Sequence, residues 1–423
     1  MNVGIRIRLS VMMFLEFFVW GAWSVTLGTY LGGGLEFSGV AIGNAYNATA
    51  WAAIISPFFV GMVADRFFPA QQVLGVMHLL GAVLLYVVSG ITTPVMFVVA
   101  LTAYAICYMP TLALCNSVSF AQLEDTEKQF PAIRVLGTIG WIVAGLGISF
   151  VLNPIFRDFN VEATNIPLKM AAIASLIMGV YSFFLPNTPP QAKGQKTTVG
   201  DILGIGALRL LKDPSFAVFM ISSLLICIPL AFYYTFTNMF LNEIGFANAA
   251  GKMTLGQFSE AFFMIVMPFF FVRLGVKKML IAGMVAWAVR YACFGFGDVG
   301  SYAWMLYIGI LLHGVCYDFF FVTGQIYVDN KAPVEIRANA QGLISLVTYG
   351  VGMIIGNLIA GPIVDAFATV TTNDAGEEVV THAWRNIWLI PGAMAVVITV
   401  LFAIFFKDTG EKAVKAMKAA QAE

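Results

Sequence analysis

The sequence predicts an all-α polytopic membrane protein of twelve transmembrane helices in two six-helix bundles. Three observations carry that expectation. Of its 423 residues, 60% are hydrophobic and only 11% charged, where a soluble domain carries about 25% charged residues; the mean hydropathy is +0.85. Apolar runs of about 20 residues, the length a helix needs to cross a bilayer, recur from end to end without the alternation of a β-barrel. A polar stretch, 187–213, divides those runs six and six.

The spans are expected near 8–31, 40–63, 70–90, 94–120, 131–153, 167–186, 214–241, 254–273, 277–297, 301–327, 337–365 and 384–406. The first is read as retained, because its apolar run continues past Leu27 with no small-residue cleavage site. An even number of spans puts both termini on one side. The loops of the other side hold only Arg157, Lys169, Lys252 and Arg385, and apart from Arg134 and Arg290 every other Lys and Arg falls with the termini. By the positive-inside rule both termini are then cytoplasmic. The expected organisation is one bundle at 1–186, a cytoplasmic linker at 187–213, a second bundle at 214–406 and a cytoplasmic tail at 407–423. The polar loop 369–383 is expected to be a flexible cap on the far side. Two bundles with a central linker are how secondary transporters are built, with a site near the membrane midplane.

Composition also excludes. Zero formal net charge argues against a nucleic-acid partner. Cys107, Cys115, Cys227, Cys293 and Cys316 all lie in apolar segments, as small hydrophobes do, and form neither a disulfide framework nor a metal set. No HExxH, Gly-x-Ser-x-Gly or paired metal-ligand pattern occurs in the spans, so neither an enzyme nor a cofactor is expected.

The informative residues are those that an apolar span should not contain. Arg134, Glu260, Arg290 and Asp318 each lie within one, where a charge at the helix centre costs roughly 2.5–3.5 kcal/mol. Arg134, Thr138 and Trp141 recur at helical spacing and share a face that offers a cation, a hydroxyl and a large ring. Gln257 and Glu260 share another face, pairing a neutral amide with a titratable acid. His313 and Tyr317 share a third, with Asp318 turned about 100° from Tyr317. Arg290 and Asp318, on neighbouring spans, are expected to brace one another, with Asp318 as a second proton candidate after Glu260. Glu16 lies one turn before Trp20, facing the cavity or serving a gate, and His78 is read as a packing residue. Asn44 and Asn47, and likewise Gln341, Ser345 and Thr348, form polar faces for a pathway or for interhelical hydrogen bonds.

Gly61-Met62-Val63-Ala64-Asp65-Arg66 closes the second span with a Gly-x-x-x-Asp-Arg pattern that resembles the loop signature of the major facilitator superfamily. The resemblance implies that Asp65 and Arg66 latch a cytoplasmic gate, although the basic residues that usually complete the motif are replaced by FFPAQQ. Further segments are FVWGAWSVTLGTY at 18–30, YMPTLALCNSVS at 108–119, FPAIRVLGTIGW at 130–141, GQFSEAFF at 256–263, VAWAVRYACFGFGD at 285–298, YDFFFVTGQIYV at 317–328 and IRANAQGL at 336–343. In this order they resemble the nucleoside/proton symporter family of that superfamily over nearly the whole chain. The resemblance implies nucleoside contacts at Arg134, Thr138, Trp141, Gln257, Glu260, His313 and Tyr317, with His313 standing where the family can carry Tyr. In the seventh span the family has a Gln and an Asn where Ala231 and Tyr234 stand here, so Tyr233, Tyr234 and Asn238 are the candidate replacements, with Tyr234 as the assigned contact, and the substrate is open to a sugar or glycoside instead. The expectation is a monomeric, proton-coupled importer of the bacterial inner membrane, with the lipid bilayer as its surroundings and a nucleoside and protons as its ligands.

Overall fold

The computed structural model describes residues 2–190, 205–333, 336–372 and 378–407, apart from the side chains of residues 56–66, 126–128, 205, 338 and 378. The helices fall on the apolar runs. In the first half of the sequence they are α1 (Val3–Ser24), α2 (Gly39–Arg66), α3 (Ala70–Val88), α4 (Pro94–Phe120), α5 (Thr126–Gly147) and α6 (Ile166–Ser182). In the second half they are α7 (Pro214–Glu243), α8 (Leu255–Phe296), α9 (Ala303–Cys316), α10 (Thr323–Lys331), α11 (Arg337–Ser345), α12 (Met353–Ala366) and α13 (Trp384–Phe405). A wide π turn, Tyr317–Val322, joins α9 to α10, and another, Leu346–Gly352, joins α11 to α12, so each pair makes one crossing.

The continuous stretch Ala249–Phe296 is 48 residues long. As one straight helix it would reach about 72 Å, more than twice the roughly 30 Å of hydrocarbon. Gly275, at φ 68° and ψ 175°, breaks it into two crossings with a backbone conformation that glycine alone adopts freely. Counted this way, the described residues carry twelve crossings, as the sequence predicts.

Local chemistry sets several ends. Asp213 Oδ1 accepts the N–H groups of Ser215 at 2.9 Å and Phe216 at 3.0 Å, which caps the start of α7. Lys277 Nζ donates to the carbonyls of Ala403 at 2.8 Å and Phe406 at 2.7 Å, where the end of α13 leaves acceptors open. Pro94 opens α4 and Pro167 the first turn of α6, positions where a missing N–H costs nothing. The loop expected as a flexible cap contains order: Ala368–Thr372 (β1) pairs antiparallel with Glu378–His382 (β2), with Val370 opposite Val380. Its β-branched Thr and Val residues favour that pairing.

The chain divides into two compact units. One comprises Met1–Thr197, Ala231–Thr254 and Met353–His382, the other Thr198–Leu230, Leu255–Gly352 and Ala383–Glu423. The first has a core of Leu9, Met12, Met13, Leu74, Leu114, Val118, Ile133 and Met178, and the second one around Met267, Met279 and Phe319. Val83, Val87, Ile173 and Leu176 of the first unit, and Ile265 and Val272 of the second, point outward. An apolar exterior is what lipid contact requires.

Within the first unit, polar side chains tie early helices to late ones. Asp365 in α12 accepts the N–H groups of Gly39 at 2.5 Å and Val40 at 3.0 Å, so it caps α2 from another segment. Asn357 donates to Asn47 at 2.9 Å and accepts from Thr235 at 2.7 Å. Polar glue of this kind is a recurrent device where lipid removes the hydrophobic drive between helices.

Candidate substrate and proton site

In the second unit, α8 and α9 approach closely enough to bring Glu260 beside His313. Gly314 makes this possible: a Cβ there would lie 2.5 Å from the Ser259 carbonyl carbon and 2.7 Å from the Glu260 nitrogen. Ser259 Oγ adds a 2.5 Å hydrogen bond to the Leu311 carbonyl. Glu260 Oε2 then stands 3.6 Å from His313 Nε2, with the two side chains 22% and 4% exposed. That separation is longer than a formed charge-assisted hydrogen bond of about 2.7–2.9 Å. The Tyr317 ring lies 5.9 Å from His313, and its hydroxyl is 3.0 Å from that of Tyr349. Tyr349 in turn stacks on Phe321 at 5.7 Å. Gln257, one turn before Glu260, is half-buried.

Asp318 is the second residue of the π turn. It is fully buried, and among the described residues neither carboxyl oxygen has a hydrogen-bond partner. π bulges inside helices occur often at functional sites because they re-aim side chains. The expected Arg290–Asp318 brace is not made: Arg290, also fully buried, donates from Nε to the Gly309 carbonyl at 2.9 Å.

In the first unit, Arg134, Thr138 and Trp141 line one face of α5 as their spacing requires, all half-buried. The Arg134 guanidinium sits 4.1 Å above the Phe17 ring, and Trp141 meets Trp20 edge-on at 5.6 Å. Tyr234 is half-buried and packs edge-on against Tyr233 at 5.5 Å, while Ala231 is fully buried. The side chains of Asp65 and Arg66 lie outside the described residues.

The polar face running from α11 into the π turn that follows divides in function. Thr348 and Ser345 return their hydroxyls to their own chain, at Ile344 and Gln341. Gln341 Nε2 donates to the Gln325 carbonyl at 2.8 Å, and both residues line a cavity of about 290 Å³ with Val322, Ile326, Asp329 and Asn330.

Of two buried carboxylates, the sequence reading missed one and did not foresee the partner of the other. Glu162, in a short 3-10 turn, accepts from Asn238 at 2.8 Å, Asn242 at 2.9 Å and the Ala250 N–H at 3.1 Å. Its position between spans gave no sign of burial. Glu16 is also buried rather than facing a cavity, and it pairs with His78 at 2.8 Å. The signal for that pair was present, since both residues interrupt apolar runs, but nothing in the spacing joined them.

A helical membrane protein of twelve crossings, with titratable groups on half-open internal faces, is a secondary transporter in build. The chain belongs to the Nucleoside H+ symporter family, whose profile matches residues 2–411. It is 47% identical to the Escherichia coli (strain K12) transporter YegT, over 95% of this chain and 94% of that one. It is 33% identical to the xanthosine permease of the same organism, over 96% of each. The crystal structure of the nucleoside transporter NupG superposes with a TM-score of 0.84 at 31% identity, covering 96% of this chain and 100% of that one. The fold is that of the major facilitator superfamily, and the chain is an integral membrane transporter rather than an enzyme.

Proposed function

We propose that this protein is an alternating-access importer that moves a nucleoside together with protons. The observation that carries the reading is the slack Glu260–His313 pair at 3.6 Å, set beside the unpartnered Asp318 carboxyl. Acids inside a membrane mark proton pathways, and a carboxylate held close to a base without a tight bond can gain or lose a proton with little rearrangement. Glu260 is assigned the coupling proton and Asp318 is the second titrating group. Arg134, Thr138, Trp141, Tyr234, Gln257, Glu260, His313 and Tyr317 are assigned to the ligand. The guanidinium, hydroxyl, amide and carboxyl groups suit a ribose and base edges, and the rings suit a planar base. Asp65 and Arg66 are assigned to the gate. The covalent plan is six spans in 1–186 and six in 214–406 about the 187–213 connection, with 407–423 as a tail. The protein works as a monomer surrounded by lipid in the bacterial inner membrane, with both termini cytoplasmic.

Uptake in vesicles, with uridine and adenosine set against hexoses and with or without a protonophore, tests this reading. Nucleoside accumulation above equilibrium that collapses with protonophore is expected. Accumulation that survives protonophore, or uptake of hexoses alone, would contradict it.

A further inference from the structure

We propose that Glu16 and His78, although they touch no ligand, form a hydrogen-bonded positioning pair that holds Trp141 in place for the nucleoside. The inference rests on the assignment of Trp141 to the ligand-binding face.

The pair is saturated. Glu16 Oε2 receives the His78 Nε2–H at 2.8 Å and the Cys115 thiol at 3.3 Å, and Oε1 receives the Thr111 hydroxyl at 2.6 Å. The carboxylate thus accepts from three donors. On the other side of the ring, Ser175 Oγ donates to the His78 carbonyl at 2.9 Å and lies 3.1 Å from His78 Nδ1. Every polar atom of the two side chains therefore has a partner within hydrogen-bond distance. The pair is sealed from solvent, with the two side chains at 1% and 0% exposure.

A wholly internal acid–imidazole pair contributes little net stability, since the desolvation of its polar groups offsets their attraction. Its use lies in fixing one arrangement of α1, α3, α4 and α6, which supply Glu16, His78, Thr111 with Cys115, and Ser175. That arrangement leads directly to the α5 face. Tyr108 donates its hydroxyl to the Glu16 carbonyl at 2.7 Å, and its ring stands edge-on to His78 at 5.9 Å and to Trp20 at 5.9 Å. Trp20, one turn beyond Glu16, meets Trp141 at 5.6 Å. Gly21 lets α1 come so near that a Cβ there would lie 3.0 Å from the Trp141 Cα. Trp141 is thus held by α1, and α1 is held by the pair. The other titratable or charged groups acting on this cluster are Tyr104, Tyr108 and Cys115 of α4 and Arg134 of α5.

The test is uridine transport by Glu16→Gln and Tyr108→Phe, with KM and Vmax read separately. Glu16→Gln replaces one acceptor oxygen of the cluster with an amide donor. It is expected to raise KM about fivefold, the size of one lost buried hydrogen bond, with Vmax within about twofold. Tyr108→Phe should raise KM about threefold. A merely structural role would lower membrane content and Vmax and leave KM unchanged. If Glu16→Gln keeps the wild-type KM, the proposal is overturned; if that variant does not reach the membrane, an unchanged KM in Tyr108→Phe overturns it. Absence of uridine transport by the wild type would instead overturn the nucleoside reading.

Discussion

The molecule contains two acid–imidazole pairs within its spans, and they are built to opposite specifications. Glu16 and His78 meet at 2.8 Å with almost no exposure, and every side-chain atom capable of a hydrogen bond has one. Glu260 and His313 stand 3.6 Å apart with the acid 22% exposed, and Asp318, five residues after His313, lacks hydrogen bonds on both oxygens. The same two side-chain types therefore serve different ends. A saturated pair opposes any change in its protons, because each would break several bonds at once. A slack pair with a wet edge can exchange them. Placement in a span marks an ionisable residue as costly, but the number and quality of its partners decide whether it braces or works.

Breaking each pair should separate the two roles. The largest effect is expected from His313→Gln, which leaves Glu260 without its ionisable partner. Proton-driven uptake should fall about tenfold, roughly 1.4 kcal/mol, while the thermal midpoint in detergent stays near that of the wild type. Thr111→Val should show the reverse pattern. It removes a donor from the buried Glu16 carboxylate and should cost about 1 kcal/mol of stability, read as a lower thermal midpoint, with uptake far less affected than in His313→Gln. If both variants lose stability and transport in the same proportion, the distinction between the pairs fails.

The smallest effect serves as an aqueous control. Asp213 lies at the start of α7, outside the spans, 2.7 Å from Lys331. The hydrogen bond from Lys331 holds its carboxyl below the usual range, helped by the helix N–H groups it caps. A depressed native value means the stabilisation is present at neutral pH, above the unfolded value near 4, and is lost as pH falls through the native one. Half-exposed, the ion pair itself adds little, so Asp213→Ala should lower stability by about 0.5–1 kcal/mol, mainly through the lost cap. The difference from wild type should shrink as the pH is lowered below about 4, with transport at neutral pH unchanged.

The fold was legible in the sequence because lipid leaves a chain few options. Apolar length alone marks each crossing, and even the unbroken run at 249–296 is resolved by Gly275. Helical spacing also brought Arg134, Thr138 and Trp141 onto one face and set Gln257 beside Glu260. What the sequence could not supply were contacts between elements. The Glu16–His78 pair joins α1 to α3, and Glu162 reaches Asn238 and Asn242 of α7, and no periodicity within one helix encodes either meeting. Arg290 and Asp318 show the converse error. Opposite charge on neighbouring spans suggested a bond, but Arg290 is aimed at the Gly309 carbonyl and the π turn sets the direction of Asp318. The Tyr317–Tyr349 hydroxyl contact was likewise invisible, because it depends on how α9 and the turn after α11 face one another.

The central claim is that Glu260 carries the coupling proton, and a single comparison in vesicles tests it most directly. Glu260→Gln keeps the size and hydrogen-bonding capacity of the side chain and removes its proton chemistry. Uphill uridine accumulation driven by an imposed proton gradient should vanish in this variant, while exchange of uridine for uridine across the membrane persists. Undiminished uphill accumulation by Glu260→Gln would contradict the account.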